Sequence, residues 1–246
     1  MLGVTPTKKL GQNFVHDPNT VRKIVRLAGV SEEDRVLEIG PGLGSLTLGI
    51  LETGAHVTAV EIDERLAGQL TLTAESKQPN SKLYVVHADA LELSPSHLKQ
   101  GEDSPPNVLV ANLPYNVSVP ILMHLLELVP ELDRGLVMVQ AEVGMRIAAG
   151  PGSKEYGVPS VKAAWYGEWE FASKVSRQIF WPVPGVDSVL ISYKKYFEPI
   201  GSETERQLTF KLITHAFAGR RKMLRQSLQT VIGAASSEEA AKILQQ

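Results

Sequence analysis

Four polar or flexible residues recur in the first half of the chain, each at the end of an apolar run. Gly40 closes RVLEIG, Glu61 ends HVTAVE, Asp89 ends KLYVVHAD and Asn112 ends NVLVAN. Glycine allows a tight turn and lets a ligand lie against the backbone. A carboxylate at Glu61 can accept charge-assisted hydrogen bonds from two ribose hydroxyls. Asp89 can accept from an adenine amino group, and the Asn112 amide offers both a donor and an acceptor. Each residue alone fits a turn or a helix cap equally well. Together, in this order, they describe a nucleoside site.

The glycines narrow the ligand. Gly40, Gly42 and Gly44 are spaced G-x-G-x-G, with Ser45 where the dinucleotide fingerprint G-x-G-x-x-G places its third glycine. A nicotinamide oxidoreductase is therefore disfavoured. The stretch VANLPYNVSVP (110–120) adds a proline and an aromatic ring directly after Asn112. A plain turn accounts for Asn112 and Pro114. It leaves Tyr115 and Asn116 without a reason.

Positioning these residues needs a sheet. Strand-like runs fall near 35–40, 56–62, 82–89, 107–113 and 134–140, and helical patterns fill 17–29, 45–53, 63–75, 118–129 and 141–149. Such alternation predicts an α/β fold with a parallel sheet covered on both faces, and ligands at the carboxyl ends of its strands. After residue 150 the rhythm changes. GPGSKEYGVP is a loop by composition, and EWEFASKVS and VDSVLISYKK are two strands joined by FWPVPG, so the last strand should run antiparallel. FEPIGSETE (197–205) has the character of a linker; 206–232 is helical by pattern, and 237–245 is a short helix. These boundaries divide the chain into a main domain, 1–197, and a small helical domain, 198–246, too short to build much core alone.

The 246 residues include no cysteine, which excludes disulfides, thiolate metal sites and a cysteine nucleophile, and fits a reducing cytoplasm. The opening MLGVTPTKKLGQNF has no apolar core of a secretory signal, and no apolar run is long enough to span a bilayer. The net charge of −2 conceals an asymmetry. Residues 1–26 carry +4, including Lys8 and Lys9, and residues 206–225 carry +6, including Arg220, Arg221, Lys222 and Arg225. Two basic segments on an acidic body suggest a polyanionic partner; solvated helix faces are the plainer alternative.

The glycine turn, Glu61, Asp89 and Asn-Leu-Pro-Tyr together resemble the class I S-adenosylmethionine-dependent methyltransferases, and specifically those acting on the adenine amino group. The resemblance implies a Rossmann-like sheet and a definite chemistry. The adenine amino nitrogen is a poor nucleophile because its lone pair is delocalised into the ring. The Asn112 side-chain oxygen and the Leu113 carbonyl would accept its two N–H bonds and free the lone pair. Pro114 would set the backbone, and Tyr115 would stack on the extruded base. Stacking needs only the ring, so phenylalanine at 115 should serve as well. No metal and no general base are required.

KKLGQNFVHDPNTVRKIV (8–25), QIFWPVPGVDSVLISY (178–193) and FAGRRKMLRQSL (217–228) are similar to three signatures of the rRNA adenine dimethyltransferases, and of their bacterial small-subunit branch in particular. That branch implies two adjacent adenines near the 3′ end of small-subunit rRNA as substrate, an immature subunit as partner, and a monomeric enzyme. It implies cofactor contacts at Asn13, Val15, Gly40, Gly42, Glu61, Asp89 and Asn112, and a second stacking face at Phe180. Lys8, Lys9, Arg220, Arg221, Lys222 and Arg225 would hold RNA, the last four on a helix whose Met223, Leu224 and Leu228 pack on the main domain. The chain departs from the pattern at Val15, where leucine is usual, and in a shorter C-terminal domain. Related large-subunit methyltransferases share the Asn-Leu-Pro-Tyr motif. An RNA-binding assembly factor is the non-enzymatic alternative, opposed by the intact motif and Glu61.

Overall fold

A computed structural model describes residues 12–98, 104–219 and 221–245. Seven strands form one sheet: β2 (Arg35–Ile39), β3 (His56–Glu61), β4 (Leu83–His87), β5 (Val108–Asn112), β6 (Arg134–Gln140), β7 (Gly167–Val175) and β9 (Ser188–Lys195). Their spatial order is β4-β3-β2-β5-β6-β9-β7. The first five are mutually parallel, and β9 inserts antiparallel between β6 and β7. The expected α/β sheet with an antiparallel last strand is the observed one.

The strands bury both faces, and their alternation assigns the sides. In β5, Val108 and Val110 join Val36, Leu136 and Met138 beneath α1 (Pro18–Ala28) and α2 (Ser45–Leu51). The helix α3 (Glu64–Lys77) completes this side, burying Leu70 and Ala74. Leu109 and Ala111 point the other way, with Leu37, Val137, Val139 and Ile191, against α5 (Ser118–Leu128). Leu98 of the short α4 (Pro95–Leu98) and Ile147 of α6 (Ala141–Ile147) pack into the same second core. Successive strand side chains face opposite sides, so a run with no polar break is what a doubly covered sheet needs.

The N-terminal segment is tied down by a separate two-stranded ribbon. Here β1 (Phe14–Val15) pairs antiparallel with β8 (Phe180–Trp181), which follows a short 3-10 turn at Arg177–Ile179. Strands this short carry no periodic signal, and the sequence pattern did not reveal them.

The stretch expected to be helical over 206–232 is helical in two separate pieces. Helix α8 spans Glu203–Ala216, and a separate α9 spans only Leu224–Leu228. Gly219 falls in the break between them. The short final helix, α10 (Ser237–Ile243), is where the pattern placed it. The start of α8 lies inside the supposed linker because SETE (202–205) is a capping box: Ser202 accepts from Glu205 N, and Glu205 Oε2 accepts from Ser202 N at 2.7 Å. Arg206, 8% exposed, anchors α8 to the sheet domain through Glu127 at 2.9 Å and the Tyr166 hydroxyl at 3.3 Å, and is itself held within the helix by Glu203 at 2.7 Å. The expected apolar stripe is incomplete. Leu228 is buried, whereas Met223 and Leu224 are more than half exposed. The loop expected over 150–159 is present but ends two positions early, where the backbone enters α7 (Val158–Ala163).

Candidate active site

The carboxyl ends of β2, β3, β4 and β5 open into one cleft of about 250 Å³. Parallel pairing sets Ile39 beside Val60 and Glu61 beside His87, so the residues after each strand emerge at one edge. Gly40, Gly42, Glu61, Asp89, Asn112, Leu113, Pro114 and Tyr115 all line the cleft, as does Asn13 from the N-terminal segment.

The glycine turn is shaped by steric need. Gly42 has φ +57°, and a Cβ there would lie 2.6 Å from Phe14 Cδ1. The turn is clamped from the next strand: Glu61 Oε2 accepts from Gly42 N at 2.9 Å, and Oε1 accepts from Asp63 N at 3.0 Å. Glu61 is 4% exposed. Burial raises its pKa; the two backbone N–H donors act against that, and the Asp63 carboxylate adds to it. Each carboxylate oxygen keeps a lone pair for a further donor. Asp63 itself is held down to about 2, chiefly by the Arg65 guanidinium. Asp89 Oδ1 accepts from Leu91 N at 2.9 Å, closing a turn after β4. The apolar side chains of Ile62 and Leu91, 43% and 38% exposed, also stand on the cleft wall.

A second carboxylate lies under the turn. Glu38, on β2, is 1% exposed. Burial pushes it up to about 8; the nearby Thr47 hydroxyl opposes this and the Glu61 charge adds to it. Its Oε2 has no hydrogen-bond partner among the described residues. Glu38 helps line a side cavity of about 20 Å³ that shares Asn13, Phe14, Gly40 and Asn112 with the main cleft.

Asn112 is oriented by its surroundings. Its Nδ2 donates to the Asn13 carbonyl at 2.9 Å, which directs Oδ1 the other way. That oxygen is buried and has no partner among the described residues. Unpaired buried acceptors are rare in folded proteins and mark places where something else binds. Leu113 N donates to Met138 O at 3.0 Å, fixing the start of the loop. Tyr115 is half-buried, and its hydroxyl lies 2.5 Å from Ser188 Oγ on β9. Ser188 is 1% exposed. The hydroxyl is therefore a structural tether, which corrects the expectation that only the ring matters.

Other expected positions are placed differently. Val15 is 6% exposed and packs in the core; it borders the side cavity and not the main cleft. Phe180 is 1% exposed in the same core and does not line the cleft, because pairing with β1 sets it opposite Val15. Arg221, Lys222 and Arg225 are exposed, but α9 begins only at Leu224, so they do not share one helix face. Lys8, Lys9 and Arg220 lie outside the described residues. Residues that sequence reasoning missed on the cleft wall include Gln12, Phe14, Ile62, Leu91, Val117 and Ile121. The available signal was adjacency: Ile62 directly follows a strand end already singled out, and Leu91 stands two positions after another. The described residues contain no cluster of three or more metal-ligating side chains.

Residues 4–245 match the family model described as ribosomal RNA adenine dimethylase. The chain is 59% identical over 243 residues to ribosomal RNA small subunit methyltransferase A of Leifsonia xyli subsp. xyli, covering 98% of this chain and 85% of that one. Against the protein of the same name from Streptomyces coelicolor, identity is 51% over 244 residues, covering 98% and 84%. Among solved structures, a dimethyladenosine transferase from Plasmodium falciparum superposes with TM-score 0.75 at 25% identity, over 88% of this chain and 74% of that one. The 23S rRNA methyltransferase ErmE superposes with TM-score 0.69 at 25% identity, over 95% and 98%.

Proposed function

The chain belongs to the ribosomal RNA adenine dimethylase family, and on that premise we propose that it methylates the exocyclic amino nitrogens of two adjacent adenines in a hairpin near the 3′ end of small-subunit rRNA. It is an S-adenosylmethionine-dependent enzyme of rRNA adenine dimethylation. The observation that carries the reading is the buried Asn112 Oδ1, without a hydrogen-bond partner among the described residues, on the wall of a cleft lined for a nucleoside.

The cleft fits the methyl donor. Glu61 is backed by two N–H groups and keeps lone pairs for ribose hydroxyls. Asp89 is set to accept from the adenine amino group, with Ile62 and Leu91 as apolar walls for the ring. Gly40 and Gly42 bring the backbone close to the ligand, and Asn13 closes the site from the N-terminal side. When bound, S-adenosylmethionine supplies a methyl group on a sulfonium, an electrophile that needs no further activation.

The protein's task is then to prepare the nitrogen. Asn112 Oδ1 and the Leu113 carbonyl accept its two N–H bonds, drawing it out of conjugation with the ring. Pro114 limits the backbone after Leu113. Tyr115 stacks on the extruded base, its ring held by the Ser188 tether. One proton leaves the nitrogen for each methyl gained. Catalysis rests mainly on in-line positioning.

Residues 1–197 form the methyltransferase domain and 198–246 a small RNA-binding domain in this reading. Lys8, Lys9, Arg220, Arg221, Lys222 and Arg225 contact phosphates. The enzyme acts as a cytoplasmic monomer on an immature subunit. No helix among the described residues is long and apolar enough to cross a membrane. The test is tritiated methyl transfer to small subunits from a strain lacking the modification, followed by mapping of the label. Label on two adjacent adenines is the expected result. Preferential labelling of naked large-subunit rRNA would assign the chain to the other branch.

A further inference from the structure

An aromatic side chain beside the cleft has no part in the chemistry above. Trp181 lies on the β1–β8 ribbon and is 48% exposed. Its ring stacks on Phe14, with centroids 6.1 Å apart and planes 25° from parallel. Phe14 is 6% exposed, lines the cleft and sits against Gly42 of the glycine turn. The rings thus form a short stack leading from the cleft wall to solvent, and Trp181 is its outer member. Val183 and Val186, on the loop that follows, are also exposed, at 64% and 45%.

We propose that Trp181 is a stacking platform for an unpaired base next to the target adenine. The inference rests on the functional reading just given. An adenine cannot reach Asn112 while stacked in a helix, so at least one nucleotide is extruded, and its neighbour loses a stacking partner. An exposed π-face continuous with the cleft wall replaces that partner. Every base presents such a face, and single-stranded RNA is commonly held on aromatic side chains. A protein segment on this surface would be an alternative occupant. The continuity with the nucleoside cleft through Phe14 favours a nucleobase. Trp181 therefore contributes to RNA affinity and leaves cofactor binding untouched.

The experiment compares wild type with Trp181→Leu, which keeps an apolar cover over Phe14 but removes the π-face, and Trp181→Phe, which keeps a ring. For each, KM and kcat are measured with undermethylated small subunits, and S-adenosylmethionine affinity is measured by calorimetry. The leucine variant should raise the KM for subunits roughly 5- to 150-fold, the range corresponding to one stacked base. The phenylalanine variant should recover most of that loss, and cofactor affinity should match wild type in both. A leucine variant with wild-type KM overturns the platform. So does a parallel loss of cofactor affinity, which would make Trp181 a brace for Phe14. Wild-type protein that leaves small subunits unmethylated overturns the functional reading, and this inference with it.

Discussion

Replacing Glu38 with glutamine should flatten the pH dependence of stability, leaving it little changed at acid pH and raising it towards neutral and alkaline pH. Glu38 is fully enclosed beneath the glycine turn, and burial lifts its pKa from 4.5 to about 8. In the unfolded chain it titrates as an ordinary glutamate. The folded state therefore holds a proton that the unfolded state releases between these two values. A raised acid of this kind contributes stability that is fully present below pH 4.5 and is lost as pH rises through about 8. Each pH unit in that window is worth about 1.4 kcal/mol, so between about pH 5 and pH 7.5 the wild type should lose about 3 kcal/mol from this group. Glutamine resembles the protonated form in shape and cannot ionise. The variant should lie near wild type at the acid end of that range and gain on it steadily towards the other. Urea unfolding of both proteins across the range, followed by circular dichroism, gives the difference directly. Taking the difference cancels the other titrating groups to the extent that they are unchanged. Parallel stability curves would show that Glu38 is ionised in the fold, and that the enclosure beneath the turn is wetter or better compensated than the structure indicates.

The remaining expectations concern the cleft and its RNA. Glu61→Ala should weaken S-adenosylmethionine binding by about 1.5–3 kcal/mol, the range for hydrogen bonds to a charged group, and calorimetry showing unchanged affinity would remove Glu61 from the site. Asn112→Ala should abolish most methyl transfer while leaving unfolding cooperative; near-normal turnover in a tritium assay would contradict the role of its Oδ1. Tyr115→Phe should destabilise the fold by about 1–3 kcal/mol because it strands the buried Ser188 hydroxyl, with Tyr115→Phe/Ser188→Ala recovering part of the loss; thermal melts that show no such recovery would refute the tether. Reversing Arg221 and Lys222 to glutamate should weaken subunit binding and reduce the log–log salt slope by about 0.7–0.9 for each phosphate no longer neutralised, and binding unaffected at physiological salt would mark both as solvated surface.

Much of the cleft was legible in the sequence because its residues sit where strands end. Strand boundaries follow from apolar runs, and a parallel sheet delivers the ends of its strands to one edge. Gly40, Glu61, Asp89 and Asn112 could therefore be grouped from the chain alone. The Asn-Leu-Pro-Tyr order suggested the chemistry, because each residue type suits a distinct task at an amino nitrogen in the proposed reaction. Contacts between distant segments were not legible. The bond from Tyr115 to Ser188 spans 73 positions, and that from Asn112 to Asn13 spans 99. Neither leaves a local pattern, yet the second decides which way the Asn112 oxygen points. The β1–β8 ribbon was hidden for a related reason: two residues per strand are too few for alternation to register. Its pairing is what buries Phe180 and exposes Trp181. The split between α8 and α9 shows the limit of helical periodicity, since a pattern can run across a break that Gly219 permits. Residue types and strand order thus determined which groups could meet and what they could do. Tertiary packing decided which oxygen stays free, which ring is covered and which faces solvent, because those outcomes depend on partners that the chain supplies from elsewhere.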